Sequence, residues 1–225
     1  EPAACLPGSY SATEKAPSCT LCPEGKFTSN AGNTACEMCT EGYLCVKGSS
    51  APQPCPGGTH ANQTVLNVTG YLSSLDQCIV CPKGTSCSVG SAEPAACLPG
   101  SYSATEKAQS CTLCPAGSYQ DERGGTACKT CTAGFYCEVG TANPLPCPGG
   151  TFSRALGATG LATCEPVAVG FWAPLGSSAP EPCPATGFYC PGAASDELHG
   201  GSKPVLVPEG GSTTREEVET VQKDV

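Results

Sequence analysis

The sequence predicts a small disulfide-rich β fold, an elongated tandem array of short hairpin arches with almost no helix. Three observations carry that prediction. The chain holds 20 Cys, 28 Gly and 22 Pro in 225 residues. Only 39% of its residues are apolar, cysteines included, with a single Trp (Trp172) and a single Met (Met38). It also repeats itself: EPAACLPGSYSATEKAPSCTLCP at 1–23 returns at 93–115 with one change, Pro17 to Gln109.

Composition comes first. A chain so poor in large apolar side chains cannot offset its ordering entropy by burial alone, so it needs staples. An even, dense set of cysteines marks a disulfide scaffold, and disulfides persist in oxidising compartments. The expected location is therefore extracellular or at a cell surface. A formal charge of −9 disfavours nucleic acid and anionic membrane as partners, since both require a basic face. No apolar run approaches the ~20 residues of a membrane span, and no signal peptide opens the chain. Glu1 begins in mid-repeat, which reads as a processed product or an excerpt.

The repeat sets the domain organisation. An offset of 92 maps Cys36, Cys39, Cys45 and Cys55 onto Cys128, Cys131, Cys137 and Cys147. Residues 1–92 form a first cysteine-rich block and residues 93–192 a second. Residues 193–225 form a Cys-free linker or the start of another segment. Long and short cysteine-bounded arches alternate within each block, many entered through C-P-x-G as in Cys22-Pro23-Glu24-Gly25. Pro fixes φ and Gly permits positive φ, so this tetrapeptide is a tight turn. Aromatics follow the turns: Tyr10, Phe27, Tyr43, Tyr102, Tyr119, Phe135, Phe152 and Phe188. Each is expected to pack on the bridge of its own arch or on the next arch; an exposed stripe that binds glycan is the alternative.

The simplest connectivity pairs neighbours: Cys5–Cys19, Cys22–Cys36, Cys39–Cys45, Cys55–Cys78, Cys81–Cys87, Cys97–Cys111, Cys114–Cys128, Cys131–Cys137, Cys147–Cys164 and Cys183–Cys190. The repeat contains an internal check. Past Cys78 and Cys164 the offset becomes 86, so Cys81 falls on Val167 and Cys87 on Ala173. The two cysteines are lost together, as a bonded pair predicts. Trp172 lies in the arch without a bridge and is expected to supply burial in its place.

Rival chemistry remains open. The spacing C-x2-C-x13-C-x2-C at Cys19, Cys22, Cys36 and Cys39, repeated from Cys111 to Cys131, could enclose Zn²⁺. Paired loss at 167 and 173 argues for two-cysteine units instead. A redox reading of CxxC expects a helix start in a βαβ pattern, which is missing. His60 aligns with Phe152, His199 sits in a Gly-rich stretch, and Asp121-Glu122 is a lone acidic pair. None makes a catalytic constellation, so no enzyme, metal or cofactor is expected. The arch from Cys55 to Cys78 carries two N-glycosylation acceptors, Asn62-Gln63-Thr64 and Asn67-Val68-Thr69. Residues 213–225 are charged and weakly helical.

The phrases Cys111-Thr-Leu-Cys114-Pro-Ala-Gly-Ser-Tyr119 and Cys131-Thr-Ala-Gly-Phe-Tyr-Cys137, with Pro144-Leu-Pro-Cys147-Pro-Gly-Gly-Thr-Phe152, resemble the ephrin-receptor-like cysteine-rich repeat. That repeat is a relative of EGF-like and TNF-receptor-like modules, and the resemblance spans about residues 5–192. It implies a large extracellular protein of the kind found in protists. Mastigoneme proteins of algal flagella and cysteine repeat modular proteins of parasites are two such groups. Two roles follow as expectations. One is a structural segment of a surface or filament glycoprotein that binds copies of itself or a filament or surface protein. The other is an adhesion or receptor module that binds a glycan or protein.

Overall fold

The structure, a computed structural model, describes residues 4–13, 18–192 and 203–207. The readings made above of Glu1, Pro17, His199 and the stretch 213–225 lie outside the described residues. Among those described, the chain forms eleven two-stranded antiparallel hairpins, one short α-helix and two 3-10 turns.

Two compact units share the chain: Glu1–Leu98 with Tyr102–Thr112 and Arg123–Ala127, and Pro99–Ser101 with Leu113–Glu122 and Cys128–Val225. The first unit holds hairpins 1 to 5. Their strands are Ser9–Tyr10 with Thr20–Leu21, Lys26–Phe27 with Glu37–Met38, and Tyr43–Leu44 with Gln53–Pro54. Thr59–Ala61 with Cys78–Val80 and Thr85–Ser86 with Ala95–Ala96 complete that set. Hairpin 6 pairs Ser101–Tyr102 with Thr112–Leu113, and hairpin 7 pairs Ser118–Tyr119 with Lys129–Thr130. Hairpins 8 to 11 belong to the second unit. They pair Phe135–Tyr136 with Leu145–Pro146, Thr151–Phe152 with Glu165–Pro166, Phe171–Trp172 with Glu181–Pro182, and Phe188–Tyr189 with Val205–Leu206.

Each hairpin is entered through the turn that the sequence encodes. In hairpin 2 the Lys26 N–H donates to Pro23 O (3.2 Å) while Gly25 holds φ at +77°. That backbone conformation strains any side-chain-bearing residue, which is why glycine closes the turn. The strands stay two or three residues long because Pro, Gly and Cys interrupt them. Pro54, Pro146, Pro166 and Pro182 each end a second strand. Pro has no N–H to give a further strand, so it stops the sheet at two.

Two features add to the sequence reading. The 55–78 arch folds its extra residues into helix α1, Gln63–Thr69. Asn62 Oδ1 accepts from Thr64 N–H (3.0 Å) and Val65 N–H (3.4 Å), and Gly70, at φ +78°, closes the other end. The 147–164 arch, six residues shorter, keeps only the 3-10 turn Leu161–Thr163. The second lies in the Cys-free stretch 193–225: Val205–Leu206 completes hairpin 11. Val207 N–H then donates to Gly187 O (2.9 Å), as Cys39 N–H donates to Gly25 O (2.8 Å). A two-residue strand without a cysteine leaves no periodic signal, so the sequence alone reads it as linker.

Burial is mostly sulfur. Twelve of the twenty buried apolar residues are half-cystines. The side-chain clusters are small: Leu44, Cys55, Ala61 and Leu72 with Val65, Leu66 and Cys78 against them, and Phe152, Val167 and Ala173.

Candidate functional site: a stapled backbone ladder

The structure bonds Cys5 to Cys19, Cys22 to Cys36, Cys39 to Cys45, Cys55 to Cys78 and Cys81 to Cys87. It likewise bonds Cys97 to Cys111, Cys114 to Cys128, Cys131 to Cys137, Cys147 to Cys164 and Cys183 to Cys190. Their Cα–Cα distances run from 5.6 to 6.3 Å, the ordinary span of a bridge. A long arch ties the residue before the turn to the residue before the second strand. A short arch ties it instead to the end of the first strand. The zinc-like spacing is thereby split: Cys19, Cys22, Cys36 and Cys39 serve three different bridges, and no cysteine is free.

Backbone bonds join successive hairpins independently of the bridges. Between hairpins 4 and 5, Gly58 N–H donates to Cys87 O (2.8 Å), Ala61 N–H to Ser91 O (3.0 Å) and Gly90 N–H to Cys55 O (2.9 Å). Within the second unit, hairpins 8 and 9 share the same three: Gly134 to Ser153 O (2.8 Å), Cys137 to Ala158 O (2.9 Å) and Gly157 to Cys131 O (2.7 Å). Each hairpin thus satisfies its neighbour's exposed edge groups, the accounting that buried backbone demands.

A second register links hairpins two apart. A Cβ on turn glycine Gly8 would overlap the carbonyl of tip glycine Gly48, and one on Gly42 would overlap that of Gly90. The second unit does the same with Gly100 on Gly140, Gly117 on Gly157 and Gly134 on Gly176. Aromatic rings cover the tips: Tyr43 lies against Gly90 and Phe135 against Gly176. Those two rings thus reach the second arch along. Lys107 holds a tip position with φ +64°, the only side-chain-bearing residue at positive φ among those described, and its carbonyl sits over Gly58. The sequence did carry a signal for these tips, a glycine nine or ten residues after many opening cysteines, but only the fold shows what it meets.

The bridge missing from hairpin 10 leaves the ladder intact. Val167 N–H donates to Gly150 O (3.0 Å) and Gly150 N–H to Ala173 O (2.8 Å). Cys81 and Cys87 make the same two bonds with Gly58. Val167 and Ala173 are buried with Phe152, so these three fill the space and not Trp172, which is half-buried in its strand. Conserved backbone geometry gives a direct prediction. The double substitution Val167→Cys and Ala173→Cys is expected to form an eleventh bridge during oxidative folding. Closing a seven-residue loop is worth about 2 kcal/mol in the chain-entropy model. Intact mass and a thermal midpoint measured beside the parent chain check it; persistent free thiols would count against it.

The remaining candidate residues fall apart in space and role. His60 is buried in its strand with Nδ1 2.9 Å from Ala61 O. Lys129 Nζ bridges Asp121 (2.6 Å) and Glu122 (3.3 Å) at an exposed arch tip. Its hydrogen bond holds the Asp121 carboxyl below the usual range, while Asp121 raises Lys129. At that exposure the pair adds little to stability. Asn62 is half-buried and Asn67 exposed on α1. Among the described residues, no three His, Cys, Asp or Glu side chains are grouped to hold a metal, and no helix is long and apolar enough to cross a membrane.

These features define a class: a disulfide-rich hairpin-repeat module whose architecture is carried by backbone and bridges. Residues 100–143 match the family described as tyrosine-protein kinase ephrin type A/B receptor-like. That stretch is an ephrin-receptor-like cysteine-rich repeat. Comparison with curated proteins gave no match.

Proposed function

We propose that the chain is a non-catalytic structural segment of a large cell-surface or filament glycoprotein, such as a flagellar mastigoneme component, and that it binds copies of itself or a filament or surface protein. The supporting observation is the ladder. All the cysteines are spent on bridges and, within each unit, neighbouring hairpins are joined through main chain, which suits a scaffold. A second reading, an adhesion module for glycan or protein, draws on Phe171 and Phe188, exposed at 40% and 36% on successive first strands. Sedimentation velocity over a concentration series, run beside a glycan-binding screen, separates the two. The structural reading expects concentration-dependent association and no saturable glycan binding. A persistent monomer that binds glycan saturably would replace it with the adhesion reading.

A further inference from the structure

The 55–78 arch holds two glycan acceptors five residues apart, and their surroundings differ. Asn62 is the N-cap of α1. Its Oδ1 is committed to the Thr64 and Val65 N–H groups, and its own N–H donates to Gln77 O (3.0 Å). The next side chain, Gln63, donates through Nε2 to Ala92 O in the loop of hairpin 5 (3.0 Å). Asn62 therefore sits half-buried at a joint between α1, the 3-10 turn Leu75–Gln77 and hairpin 5. Asn67 lies on the opposite part of the same helix, exposed and flanked by Val68, which is 82% exposed. Val65 and Leu66 turn to the Leu44–Leu72 cluster, so 67–69 form the outward side. Thr69, the hydroxyl residue of that acceptor, is also exposed.

From this placement we infer that the folded, secreted protein carries its N-linked glycan on Asn67 and not on Asn62. The inference rests on the extracellular reading and deepens it. The donor is a lipid-pyrophosphate-linked oligosaccharide. A bond forms between Asn67 Nδ2 and the anomeric carbon, the anomeric C–O bond breaks, the lipid pyrophosphate leaves, and the amide gives up one proton. A sugar at Asn67 projects into solvent and covers Val68. One at Asn62 would have to leave a joint where cap, turn and hairpin 5 meet. Transfer precedes folding, so the selection acts on which glycoform can complete this arch and be exported. The glycan also reserves the outer side of α1, directing any protein partner of the first unit elsewhere.

The test uses the full chain secreted from eukaryotic cells, as wild type, Asn67→Gln and Asn62→Asp. Asp is itself a good N-cap, so Asn62→Asp removes the acceptor while keeping the helix start. Wild type and Asn62→Asp are expected to show the same one-glycan mobility shift, sensitive to peptide N-glycosidase. Asn67→Gln should lose it entirely. Enzymatic deglycosylation in heavy-oxygen water should label position 67 alone. Label at Asn62, or no label at either site in a chain whose cysteines are all oxidised, overturns the proposal. An unlabelled chain with free thiols would instead remove the extracellular reading beneath it.

Discussion

In excess reductant under native conditions, the chain is expected to lose its fold completely. The buried side-chain clusters contain four and three residues, and most of the other buried apolar positions are half-cystines. Core burial on that scale cannot balance roughly 1–2 kcal/mol of backbone entropy per ordered residue. The bridges reduce that entropy in the unfolded chain. Each arch with a sequence separation of 14 closes a loop worth about 3 kcal/mol, and each short arch somewhat less. These contributions are not additive, yet even a fraction of them exceeds what so small a module gains from burial. The ladder cannot substitute, because backbone bonds exchange with water and contribute about 1 kcal/mol each at most sites. Limited proteolysis with and without reductant reads the outcome. A reduced chain that kept native protease resistance would show that the hairpins stand without their staples.

Gly134→Ala should destabilise the second unit by about 3 kcal/mol, and Gly170→Ala by only about 1 kcal/mol. Both glycines turn at φ +85°, so both substitutions incur the strain of a left-handed side-chain-bearing residue. The surroundings separate them. A Cβ on Gly134 would strike the Gly176 carbonyl, which is backbone and cannot rotate away, whereas one on Gly170 meets nothing within 4 Å. Denaturant midpoints followed by fluorescence measure the pair well. Trp172, the chain's only Trp, lies in hairpin 10, whose tip contains Gly176. Equal losses for the two variants would mean that contact between hairpins two apart adds nothing beyond the turn itself.

What the sequence made legible was local and periodic. C-P-x-G announces a turn because Pro and Gly restrict the backbone in known ways; five such entries, at Cys22, Cys55, Cys81, Cys114 and Cys147, and six related turns that end in glycine give the hairpins. The paired change at Val167 and Ala173 was equally visible, since a repeat exposes two positions that vary together. Three things were not legible. The tip-on-turn register depends on carbonyls, which look alike in every residue. Helix α1 is bounded by Asn62 and Gly70 and held by Val65 and Leu66 meeting Leu44 and Leu72, a tertiary contact that the turn-and-cysteine pattern does not display. The role expected of Trp172 followed from its place in the arch without a bridge, whereas the space is filled by the two residues that stand where the cysteines were and by Phe152. The candidate site was legible in its cysteines, but the different surroundings of Asn62 and Asn67 were not, since only the helix creates them.

Hairpin 10 has a mechanical meaning. When a chain is pulled, residues enclosed by a bridge cannot unspool, so from the first bridge to the last slack comes only from stretches between bridges. Those stretches span nine residues after Cys45, Cys87 and Cys137, but eighteen between Cys164 and Cys183. At roughly 3.4 Å per extended residue, that one stretch can pay out about 60 Å, twice any other. Pulled between residues 5 and 190, the chain would therefore lengthen most at this stretch, where Phe152, Val167 and Ala173 pack together, while the bridged arches on either side kept their length.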